Sequence, residues 1–95
     1  MFKVGDLYLL FLAKPNQLPY SRLGLAISKK WVKRAVKRNF CKRAIRESFR
    51  LRQHEVIGLD IVVLAQRELN SLTKEQIKQN LEKKWRKLSK LQQNC

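Results

Sequence analysis

The sequence predicts a small α+β fold in which helices pack on one sheet, and three observations lead there. Short apolar runs bounded by turn residues read as strands. An unbroken basic stretch from Lys29 to Arg52 reads as one long helix, and Ile77, Leu81, Trp85, Leu88 and Leu91 recur at the spacing of a second. The resulting order is strand, strand, long helix, strand, helix. A strand–helix–strand unit beside a hairpin closes as a two-layer α/β sandwich with a central sheet of about three or four strands. Ninety-five residues suffice for one modest core, so residues 1–95 read as a single domain.

Residues 1–5, MFKVG, make a short and abrupt start, and Gly5-Asp6 signals a turn. Leu7 to Lys14, LYLLFLAK, is a continuous apolar run that suits a strand buried on both faces. Leu7, Leu9, Phe11 and Ala13 then share one face, and Tyr8, Leu10 and Leu12 the other. Pro15 to Pro19 is a loop, because neither proline can donate to a ladder. Arg22 to Ser28 is a second strand with Leu23, Leu25 and Ile27 on one side. Its other side carries Gly24, Ala26 and Ser28, small enough to admit either another backbone, such as a nucleotide, or a tightly packed helix.

The long helix is expected from about Val32 to about Gln53. Cys41, Ile45, Ser48 and Phe49 form a stripe that can lie on a core. Asn39, Arg43, Arg46 and Arg50 lie on a different side, and Arg38, Lys42 and Arg46 form an adjoining row. From Lys29 to Arg52 there are eleven of the chain's 22 Lys and Arg residues and one acid, Glu47, a net of +10. Like charges one turn apart cost about 0.2–0.5 kcal/mol per pair, so an uncompensated row suggests a surface shaped for phosphates. His54 and Gly58 mark the exit from the helix, and His54, far from any cysteine or acid cluster, reads as structural or solvent-facing. Leu59 to Ala65 is a third strand, rich in β-branched residues. Thr73 then caps the last helix, with Gln76 completing a capping box, and Trp85 belongs to its core-facing stripe.

The net charge of +15 and a pI of about 10.6 point to nucleic acid first and to an anionic membrane surface second. No apolar run approaches the length of a membrane span. Two cysteines, one in a helix stripe and one at the terminus, make no disulfide framework, which suits a reducing, cytoplasmic compartment. There is no nucleophile beside a base, no glycine-rich phosphate loop, and no spacing that suggests a metal site. Seven acids are scattered; Asp6 and Asp60 could approach each other in a sheet. The chain therefore reads as a binder, without catalytic residues of its own. Arginine forks suit bidentate contact with phosphate, and Asn39 among them can address a base edge or a 2′-hydroxyl. Tyr8, Phe11 and Tyr20 could stack single-stranded bases or pack in a core.

RLGLAISKK followed by AVKRNFCKRAIRESFRLR resembles the protein component of bacterial ribonuclease P. Arg38, Asn39, Lys42, Arg43, Arg46 and Glu47 match that family's motif in place and spacing. Ser28-Lys29-Lys30 matches the end of its strand, and LDIVVLAQ matches its last strand. The resemblance implies a fold like domain 2 of ribosomal protein S5, with a left-handed strand–helix–strand crossover. It also implies the protein subunit of an endoribonuclease whose RNA subunit is the catalyst, using Mg²⁺ to cut the 5′ leader from precursor tRNA. One protein per ribonuclease P RNA, in the cytoplasm, is expected. The motif residues Arg38, Asn39, Lys42, Arg43 and Arg46 would contact the catalytic RNA. Lys29, Lys30 and Arg34 join them on charge alone, and Phe11 would sit on a cleft for the leader. Two departures stand out. Phe40 replaces an expected arginine, losing a contact or exchanging it for an apolar or stacking one. The family's N-terminal helix, which helps to wall the cleft, precedes the point where this chain starts, so the domain is expected to lack it.

Competing readings are a small ribosomal or other RNA-binding protein with no processing role, a DNA-binding regulator with its helix in a major groove, and a nuclease acting without RNA.

Overall fold

The computed structural model describes residues 1–94; Cys95, the terminal cysteine, lies outside the described residues. Four strands, β1 (Phe2–Gly5), β2 (Leu9–Pro15), β3 (Arg22–Ala26) and β4 (Leu59–Ala65), form one sheet in the order β1-β2-β4-β3. Two helices, α1 (Ala35–Arg52) and α2 (Lys74–Gln93), complete the α+β architecture. β1 and β2 are antiparallel, as are β2 and β4, whereas β3 and β4 run parallel across the α1 crossover. The strand β1 was not expected. Its four residues alternate, with Phe2 and Val4 turned inward and Lys3 and Gly5 outward, but so short a run does not announce a strand, and it is held on β2 through pairs such as Val4 with Phe11.

Both helices pack on one sheet face. Leu9, Phe11 and Ala13 of β2 and Ile61, Val63 and Ala65 of β4 meet Cys41 and Ile45 of α1 and Ile77, Leu81, Trp85 and Leu88 of α2. Trp85 sits edge-on to Phe11, with ring centroids 4.6 Å apart, and its indole N–H donates to Ser48 Oγ at 2.8 Å. The Ser48 hydroxyl donates in turn to the Ile45 carbonyl at 2.9 Å, so the one polar residue of the α1 stripe ties the helices together. Phe49, the fourth member of that stripe, is half-buried with its ring 5.8 Å from Trp85. Leu91, expected to continue the α2 stripe, stays 40% exposed in a groove beside β1.

Local chemistry explains the element ends. α1 begins at Ala35 rather than near Val32, because the Ser28 carbonyl accepts from both the Trp31 and Val32 amides and Val32 is buried in a separate turn. At its other end α1 passes into a short 3-10 turn, Gln53–Glu55. Gly58 has φ +80°, a left-handed conformation that admits glycine, and so turns the chain into β4. α2 starts at the predicted capping box: Thr73 Oγ1 accepts from the Gln76 amide and the Gln76 side chain accepts from the Thr73 amide.

The other sheet face carries no helix. Leu10, Leu12, Val62 and Leu64 lie there with Gly24 and Ala26 of β3. Among the described residues no helix packs over the small side chains, which removes the packed-helix reading, and a Cβ at Gly24 would meet nothing closer than Val62 at 3.7 Å. β3 also ends at Ala26, leaving Ser28 in the turn before α1, where its hydroxyl accepts from the Lys30 amide at 3.0 Å.

Candidate nucleic-acid interface

The α1 helix separates its two chemistries by angle. Cys41, Ile45 and Ser48 are buried, whereas Asn39, Arg43 and Arg46 are exposed and Lys42 is half-buried. Among the described residues, Lys42, Arg43 and Arg46 have no carboxylate within 4.0 Å. With Val36 and Asn39 they line a shallow groove of about 440 Å³. Four nitrogen-bearing side chains thus converge on one surface with their charge uncompensated. Such a surface attracts phosphates, and the counterions released from the polyanion drive binding.

The flanking cations are placed differently. Arg50 pairs with Glu47 through Nε and Nη2 of one guanidinium edge, at 3.1 and 2.5 Å, and Arg52 pairs with Glu55 and Glu82. Arg38 is half-buried, and its Nη1 donates to the Val32 and Lys33 carbonyls at 3.0 and 2.6 Å, bracing the turn that leads into α1. Lys37 likewise holds the loop before α2, donating to the Asn70 and Leu72 carbonyls. Lys29, Lys30 and Arg34 are exposed in or beside the β3–α1 turn, and Lys30 Nζ lies 4.9 Å from the Trp31 ring centroid. The start of α1 has no side-chain cap and no acid in its first turn, so its amide dipoles add to the positive potential there.

Phe11 must be moved out of the candidate site. It is 0% exposed and enclosed by β4 and Trp85, so its ring cannot meet a nucleotide while α2 is in place. The β2 alternation turns Leu9, Phe11 and Ala13 toward the helices and leaves Leu10 and Leu12 on the helix-free face. Of the other aromatic candidates, Tyr20 is exposed and Tyr8 half-buried.

Asp6 and Asp60 do not meet. They lie toward opposite ends of β2, each bound to a cation. Arg22 grips Asp60 through Nε and Nη2 at 2.7 and 2.6 Å, and with the Asn16 amide it holds that carboxyl down to about 2. Asp6 accepts from Lys84 at 2.5 Å, from Asn80, and from the Tyr8 and Leu9 amides. Burial alone would raise its pKa, but those donors outweigh burial and hold it at about 2. Lys84 is almost fully buried, an arrangement no local pattern announces, since its partner is 78 residues away. His54 is exposed beside Glu55. Among the described residues no group of three or more metal-ligating side chains forms, and no helix is long and apolar enough to cross a membrane.

Comparison with known proteins agrees with this geometry. The family model described as Ribonuclease P matches residues 2–89. The ribonuclease P protein component of Photobacterium profundum is 45% identical over 89 residues, covering 94% of this chain and 75% of that protein. That of Chromohalobacter salexigens is 48% identical over 89 residues, covering 94% and 70%. Among solved structures, the Staphylococcus aureus RNase P protein superposes with a TM-score of 0.80 at 32% identity, over 90% of this chain and 78% of that one. The RNase P protein from Thermotoga maritima gives 0.73 at 28% identity, over 90% and 82%. Fold, charge distribution and sequence thus converge, and the chain belongs to the family of ribonuclease P protein components.

Proposed function

We propose that the outward face of α1 docks on the catalytic ribonuclease P RNA, one protein per RNA, and so assists Mg²⁺-dependent removal of the 5′ leader from precursor tRNA in the cytoplasm. Asn39, Lys42, Arg43 and Arg46 carry the contact, with Lys29, Lys30 and Arg34 extending it along the turn before the helix and Arg38 shaping that turn. The observation that carries this reading is the set of cations on α1 without carboxylate partners, beside a buried stripe that anchors the same helix. Guanidinium and ammonium groups hold phosphates and repel Mg²⁺, so the ion belongs with the RNA. The protein's part is to screen repulsion between two polyanions and to position the substrate.

The leader fits the helix-free sheet face better than the buried Phe11. That face offers apolar Leu10, Leu12 and Val62 for bases, and Lys3 and Lys14 beside them for phosphates.

Reconstitution tests the proposal. The full chain should lower the Mg²⁺ concentration that a bacterial ribonuclease P RNA needs to cleave precursor tRNA. Arg43→Ala and Arg46→Ala should each weaken RNA binding and reduce the slope of log affinity against log salt by roughly one per lost phosphate contact. No change in the Mg²⁺ requirement would remove the processing role, and an unchanged slope would place these side chains outside the interface.

A further inference from the structure

Between α1 and α2 runs a groove of about 460 Å³, made apolar by Phe40, Ala44 and Leu51 of α1 and Leu81 of α2. Arg43 and Lys78 also line it. Phe40 is half-buried, and two ammonium groups stand over its ring, Lys74 Nζ at 5.2 Å and Lys78 Nζ at 6.0 Å from the centroid, on flexible stems that an incoming base would swing aside. Among the described residues, neither lysine has a carboxylate within 4.0 Å. The two acids that line the groove are already neutralised, Glu47 by Arg50 and Glu82 by Arg52. Arg43 lines this groove and also the phosphate-binding groove on α1, so the two surfaces are continuous.

We propose that this groove receives one unstacked nucleobase of the RNA that α1 binds. The inference rests on the reading of α1 as the RNA face and extends it around the helix onto α2. A strand whose phosphates follow Arg46 and Lys42 passes Arg43, and its next base turns in over Phe40. There the ring supplies a stacking surface, and Lys74 and Lys78 receive the following phosphate. Free cations without free carboxylates fit a polyanion with an aromatic base and give a helix of another protein no charge to pair with except acids of its own.

Binding of the full chain to ribonuclease P RNA tests this. Phe40→Leu keeps apolar volume but removes the ring, and it should weaken binding at least about fivefold, the loss of one stacked base, with the salt slope unchanged. Phe40→Trp should bind like the parent. Lys78→Ala, outside the core, should weaken binding and lower the slope by about one. If Phe40→Leu melts like the parent and binds as tightly while Arg46→Ala weakens binding, the groove is empty of RNA and only the α1 reading stands. If Arg46→Ala also has no effect, both readings fail. Should Phe40→Leu melt early, Lys78→Ala decides, and unchanged affinity there overturns the proposal and leaves the groove to a protein helix.

Discussion

Single residues carry more of this fold than their size suggests. The Ser48 hydroxyl is the acceptor for the Trp85 indole where both helices meet the sheet. Ser48→Ala leaves that buried N–H without a partner, which costs about 1–3 kcal/mol, so the urea midpoint should fall; an unchanged midpoint would mean that water replaces the hydroxyl. The Asp6–Lys84 pair makes a pH-dependent contribution of definite sign. The folded pKa of Asp6, about 2, lies below its ordinary value of 3.8. The associated stability is therefore fully present above the ordinary value of 3.8 and is lost as pH falls through about 2, below which both states are protonated. Asp6→Asn should flatten the fall in melting temperature across that window; a profile as steep as the parent's would assign the acid lability elsewhere, to Asp60 for instance. Neither pair was legible in the sequence, because a serine facing an indole and an acid facing a lysine have no periodicity to betray them.

At the scale of elements, the helices were the legible part and the strands the equivocal one. The capping box places the start of α2 to the residue, whereas the α1 stripe finds its helix but not its first turn, since α1 has no side-chain cap to mark its start. β2 is apolar on both faces, and alternation then says which residues share a side but not which side the helices cover. Phe11, which the resemblance alone placed on a leader cleft, lies on the covered side, in the core. On the proposed reading, the basic face of α1 sets binding against folding. Arg46 stands one turn from both Lys42 and Arg50, so Arg46→Glu should stabilise the free protein by about 0.5 kcal/mol while weakening its grip on RNA. Paired urea melts and RNA titrations would check this. A variant that loses stability would show that Arg46 holds the helix rather than serving the interface.

For the whole molecule, the sheet order matters most. β4 is the last strand in sequence and lies between β2 and β3, which share no ladder with each other. The expected hairpin of β2 with β3 therefore does not form, and the β1–β2 pair and β3 share no sheet until β4 is in place. During synthesis the tract bearing ten net positive charges leaves the ribosome before the strand that seats its apolar side. It emerges with its greasy flank bare, beside an abundance of ribosomal RNA. Arrival of the central strand is then more than the closing of a sheet: it decides when the nascent helix acquires a single rigid charged surface, and hence when the docking proposed for that surface could begin.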